Sequence, residues 1–187
     1  MKKILSTILG ICFYVFVSEA QTKISFFEEH IDFSFEGNYF TINGLFSFSN
    51  ENNQPQTQQI IFPFANETNS IDSIRIINLY SLSKLDYIKL KSSVLFKVTV
   101  PANDTVDLNI FYRQKKSSTN KYILTSTQLW KQPLKKAVYS LTTEKNLKIK
   151  SFTYEPDSIR INADKTVYLW EKENFMPEKD FEIIIND

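Results

Sequence analysis

The chain has little of what most active sites are built from. One cysteine, one histidine and three glycines are spread over 187 residues. Cys12 lies inside an apolar run, Ile4 to Val17. If that run is removed on export, no thiol remains, which excludes a disulfide, a zinc–thiolate site and a cysteine nucleophile. A lipid anchor on Cys12 is disfavoured because Ile11 before it is bulky and the apolar run continues past it. Gly37 and Gly44 are isolated, so there is no glycine-rich cradle for a phosphate, and no cofactor is expected. His30 has no second histidine for a metal site, and no G-x-S-x-G elbow offers a serine partner. It reads as a solvent-facing residue at a strand start. Glu28 and Asp32 share its face, while Glu29 and Ile31 take the other.

An excess of charge is missing too. The sequence carries 22 Lys+Arg and 21 Asp+Glu. Met1–Ala20, MKKILSTILGICFYVFVSEA, has a basic start, an apolar centre and small residues at Ser18 and Ala20. This is the pattern of a secretory signal peptide, and the run is too short and wrongly flanked for a membrane span. Cleavage before Gln21 removes Lys2, Lys3 and Glu19, leaving 20 residues of each sign. A balanced chain lacks the positive face that nucleic acid needs, so no nucleic-acid partner is expected. An exported chain without disulfides looks bacterial, destined for the periplasm, the cell surface or the medium. Residues 21–187 are long enough for a single domain with its own core.

What is abundant is alternation. Ile31, Phe33 and Phe35 alternate with Asp32, Ser34 and Glu36. The same period of two runs through Phe40–Phe48, Phe96–Val100, Val106–Tyr112 and Phe181–Ile185. It predicts strands with one face buried. Breaks fall at Glu36-Gly37-Asn38, Asn50–Gln56, Pro101–Asp104, Lys115–Asn120 and Asn162–Lys165. Lys115–Asn120 reads as a hairpin loop, and Tyr122–Trp130 as a strand ending in a corner. No segment reads as a long amphipathic helix. Leu79–Lys91 comes nearest, and its alternating end argues against it. The expectation is an all-β, antiparallel two-layer sandwich, immunoglobulin-like or jelly-roll-like, of roughly ten to twelve strands.

The candidate sites are few. Tyr168 and Trp170 share one strand face and could form a platform for a sugar ring or a protein partner; the alternative is core. Trp130, before Lys131-Gln132-Pro133-Leu134, reads as packing over a corner and is the third candidate ligand-binding residue beside Tyr168 and Trp170. Asp-Ser-Ile-Arg-Ile occurs at Asp72–Ile76 and Asp157–Ile161. An aspartate folded over its own backbone before a β-branched run explains both. With Asp104-Thr105-Val106 these also resemble the O-glycosylation signal of exported Bacteroidetes proteins, which would make Ser73, Thr105 and Ser158 acceptors. Asn66-Glu67-Thr68 and Asn103-Asp104-Thr105 match the N-glycan sequon. In general texture the chain resembles small exported bacterial β-sandwich proteins, a resemblance that supplies no active-site residues.

The expected function is therefore a non-catalytic binding or assembly module of the cell envelope. Two alternatives stand beside it. A carboxylate-dependent hydrolase of envelope glycans would need a cleft with two acids roughly 5 to 9.5 Å apart. A purely structural envelope protein would place every aromatic in the core.

Overall fold

The computed structural model describes residues 24–186. The proposed export peptide Met1–Ala20 and Cys12 lie outside them. Among the described residues, fourteen strands follow one another: β1 (Ser25–Glu36), β2 (Tyr39–Asn50), β3 (Gln56–Pro63), β4 (Ile71–Asn78), β5 (Ser83–Lys84), β6 (Ile88–Lys89), β7 (Ser93–Val100), β8 (Asp104–Lys115), β9 (Thr119–Tyr122), β10 (Leu134–Glu144), β11 (Ile149–Phe152), β12 (Ser158–Asn162), β13 (Lys165–Phe175) and β14 (Phe181–Ile185). The segment nearest to a helix in the sequence, Leu79–Lys91, carries β5, β6 and the turns around them. No helix among the described residues is long and apolar enough to cross a membrane.

Eight strands form one large sheet in the order β12-β13-β10-β1-β2-β8-β4-β5. Two three-stranded sheets, β11-β14-β9 and β3-β7-β6, cover its inner face side by side. Aromatic contacts fix this layering. Phe181 of β14 packs on Phe33, Tyr139 and Trp170 of the large sheet, with ring centroids 5.0, 5.3 and 5.0 Å apart. Phe62 of β3 packs on Phe46 and Tyr112, at 5.4 and 6.1 Å. The fold is thus the expected all-β sandwich, with a second layer split in two.

The alternation produces this directly. In β8, Val106, Leu108, Ile110 and Tyr112 are all at most 1% exposed, and the residues between them face outward. Glu36 pairs with Tyr39 across the two-residue turn Gly37-Asn38, and Gly37 adopts φ +58°, which glycine reaches without penalty. Every pairing is antiparallel except β1 with β10, where Ile31 faces Tyr139 and Phe33 faces Leu141. That parallel seam joins an antiparallel group from residues 25–115, β1-β2-β8-β4-β5, to one from residues 134–175, β10-β13-β12.

The chain crosses repeatedly between layers, and side chains hold the crossings. Asn50 is 2% exposed; its Nδ2 donates to the carbonyls of Gln54, Val100 and Pro101 at 2.9, 3.2 and 2.9 Å. One amide thereby ties the β2–β3 loop to the β7–β8 loop. Lys115–Asn120 is a crossing of the same kind rather than a hairpin: β8 pairs with β2 and β4, whereas β9 pairs with β14. Buried Asn120 closes it, accepting from Ser117 N and donating to Ser117 O at 3.0 and 2.6 Å.

The stretch before Trp130 also departs from expectation. The strand ends at Tyr122, and Thr125–Trp130 winds into a 3-10 turn. Its start is pinned by Asp180, whose Oδ1 accepts from Leu124 N, Thr125 N and Thr125 Oγ1 at 3.2, 3.1 and 2.7 Å. Gln128 Nε2 adds a bond to Pro177 O at 2.8 Å. These partners lie some fifty residues away in sequence, 55 for Thr125–Asp180, so no local pattern shows them. The two Asp-Ser-Ile-Arg-Ile copies differ from each other. Asp72 does bond the backbone of Ser73 beside it and also reaches Arg113 on the neighbouring strand, whereas Asp157 reaches across to Glu171 N and Lys172 Nζ, both at 2.7 Å.

Candidate functional site

Where the second layer divides, a cavity of about 360 Å³ opens onto the large sheet. Phe26, Glu29, Phe46, Phe48 and Ile110 form its floor. β3 and β7 supply one wall through residues 58–63 and Phe96; Tyr122 and the Ser126–Lys131 stretch supply the other. The exposed residues at its mouth are mixed: Ile61, 63% exposed, and Leu129, 82% exposed, beside Gln59 and Lys131.

Glycine makes part of the room. A Cβ on Gly44 would come within 2.5 Å of the Phe46 ring and 2.7 Å of Ile31. The missing side chain lets Phe46 lie flat in the floor. Trp130 is half-buried beside it, at 5.7 Å from Phe26 and 5.6 Å from Phe48.

The one acid in the lining is Glu29, 1% exposed. A register shift places it there. β1 and β2 slip between Phe26 and Glu28, so Phe26 and Glu29 both point inward although three residues apart. Without this bulge Glu28 would take the inner phase and Glu29 would face water. Tyr139 Oη donates to Glu29 Oε1 at 2.5 Å and Tyr122 Oη to Oε2 at 3.4 Å. Burial pushes the carboxyl up to about 7, against the opposing pull of the two tyrosine hydroxyls. Burial likewise drives both tyrosines well above their ordinary range. Among the described residues no ion pair reaches Glu29.

The residues singled out by sequence fall in different places. Trp170 is 1% exposed, enclosed by Phe152, Tyr168 and Phe181, and its Nε1 donates to Tyr154 O at 2.8 Å. It offers no open face, so the Tyr168–Trp170 platform is not on the surface. Burial on this face follows from the β11-β14-β9 sheet lying over it. Tyr168 is half-buried against Phe152 at 5.1 Å. Trp130 is far from both in role: it lines the cavity. Ser73, Thr105 and Ser158 are exposed on the large sheet, Ser73 at φ +58° with its Oγ accepting from Arg113 at 3.1 Å.

His30 is exposed, as the alternation implies, with Nε2 3.4 Å from Asp32 Oδ1. Ser140 donates to the same oxygen at 2.6 Å. The carboxylate sits between serine and histidine, so the histidine cannot act as base toward that hydroxyl in the manner of a triad. The cavity offers no paired carboxylates either, since its lining holds one acid.

Glu29 was missed as a site residue, and one signal could have exposed it: an acid on the phase shared with Ile31 and Phe33. An ionisable group in an apolar phase is the anomaly to look for.

No protein-family model matches the sequence, and no curated protein matches it. Solved structures do share its shape. A candidate nutrient-binding protein of Legionella pneumophila superposes with a TM-score of 0.68 at 17% identity, over 88% of this chain and 67% of that one. An M1 zinc metallopeptidase of Deinococcus radiodurans gives 0.52 at 7% identity, over 88% of this chain and 43% of the enzyme. Yeast LTA4 hydrolase gives 0.50 at 12% identity, over 87% and 29%. The likeness is one of fold. Among the described residues no cluster of three or more His, Cys, Asp or Glu could hold a metal ion.

Proposed function

We propose that this chain is an exported, non-catalytic binding module of the bacterial cell envelope, and that it holds an apolar small molecule in the cavity above Glu29. The observation that carries the reading is the cavity itself. Its volume of about 360 Å³ suits a compact ligand, and aromatic walls with a few deep polar groups, here Glu29, Tyr122 and Thr127, are what such sites use for affinity and orientation. The Legionella protein of similar fold, described as a candidate for nutrient binding, supports a binding role. The basic-apolar-small pattern of Met1–Ala20 supports export.

Binding is tested with N-phenyl-1-naphthylamine, an uncharged apolar fluorophore, titrated into the purified exported protein. Saturable binding to one site with quenching of tryptophan emission is expected. Trp130→Ala removes a half-buried wall and should weaken binding about tenfold, with the circular dichroism spectrum unchanged. Unsaturable binding, or equal affinity in Trp130→Ala, would remove the cavity reading. Export is tested on the protein recovered outside the cytoplasm, whose intact mass should correspond to a chain beginning at Gln21. A mass that still includes Met1 would count against a cleaved signal peptide.

A further inference from the structure

The ligand class follows from what Glu29 lacks. Its carboxyl is withdrawn from water at the cavity floor and receives two tyrosine hydroxyls, one on each oxygen. Each oxygen can accept a further bond, and Glu29 lines the cavity. No ion pair among the described residues answers its charge. The groups around it are Tyr122 on β9, Tyr139 on β10 and, in electrostatic reach of Tyr122, Tyr112 on β8. The one basic residue in the lining, Lys131, is exposed. A buried carboxylate without a counter-ion is costly, and a cation brought by a ligand removes that cost.

Resting on the cavity reading above, we propose that the site selects apolar primary amines. The ammonium seats on the Glu29 carboxylate and the hydrocarbon lies along Phe46, Phe48 and Trp130 toward Ile61 and Leu129 at the mouth. Two of the three ammonium hydrogens match the one lone pair left on each oxygen. When Glu29 starts protonated, the ammonium ligand binds as the cation, the carboxyl releases its proton to solvent, and the charges in the site balance. An alcohol of the same length can donate only one neutral bond, and a carboxylate would oppose Glu29.

The test displaces N-phenyl-1-naphthylamine from the exported protein with octylamine, octanol and octanoate. Octylamine should compete about tenfold better than octanol, and octanoate worst. In Glu29→Gln the advantage of the amine over the alcohol should vanish. Calorimetry of the unmodified protein at about pH 6, in buffers of different ionisation heat, should show about one proton released per octylamine bound and none for octanol. This second measurement decides the matter even if Glu29→Gln does not fold. Equal competition by octanol and octylamine, with no proton release, overturns the amine assignment while leaving the cavity reading intact. If the fluorophore itself does not bind, the cavity reading fails first.

Discussion

Trp170→Ala is expected to destabilise the domain by about 3–5 kcal/mol, the range for truncating a large buried aromatic. The indole is 1% exposed and sits where the two layers meet. Phe181 and Phe152 contact it edge-on at 5.0 and 5.2 Å, so two of the three strands of the covering sheet, β14 and β11, lose a partner together. Its Nε1 also satisfies the carbonyl of Tyr154, which would be left without that bond. β13, which carries Trp170, is the strand that attaches β12 to the sheet, so the damage spreads to the edge. Urea unfolding followed by circular dichroism measures the loss. A cost within about 1 kcal/mol, as for a surface site, would show that Trp170 is not a core residue. The contrast with Trp130→Ala is the informative part. A purely structural protein predicts that both tryptophans matter for folding alone. A binding module predicts that Trp170 governs stability and Trp130 governs ligand affinity.

Stability should also fall as pH rises, through Glu29. The folded carboxyl holds its proton up to about 7, against an ordinary value of 4.5. Between these values the folded state binds more protons than the unfolded one, so raising the pH favours unfolding. The stabilising effect of the proton is complete below about 4.5 and is lost as pH passes through about 7. At 1.36 kcal/mol per pH unit, the loss is about 3 kcal/mol. Other groups contribute to the pH dependence, so the measurement is the difference between wild type and Glu29→Gln. Urea midpoints taken from about pH 4.5 to above 7 should show the wild type losing ground to the variant. Parallel curves would mean that burial does not raise the Glu29 carboxyl above its ordinary value. An amine ligand should shift the balance the other way, because it favours the ionised form and binds only the folded protein.

Much of the fold was legible along the chain, and the reason is local. In a strand the side chain alternates sides by geometry, so the run Val106–Tyr112 shows its buried face without knowledge of its neighbours. The Gly37 turn was legible for the same reason. The failures share a different cause. Lys115–Asn120 looks like a hairpin because polar residues between two strands always do; whether the strands pair depends on β14, which follows some sixty residues later. The Thr125–Trp130 turn depends on Asp180. Tyr168 and Trp170 share a face as read, but which face meets a covering sheet is set by Phe152 and Phe181.

The candidate site shows the same division. The sequence by itself determined an all-β chain, a core phase for each strong strand, and an acid at Glu29 on the phase of Ile31. It also carries the export pattern at Met1–Ala20. Tertiary structure decided that β1 and β10 lie parallel, that the second layer is split, and that a cavity fills the split. It brought Glu29 within reach of Tyr139 and Tyr122, 110 and 93 residues away. Alternation is a property of consecutive residues, so it can be read from one strand. A cavity and a buried carboxyl with its hydroxyl partners are properties of strands that meet only after the whole chain has folded.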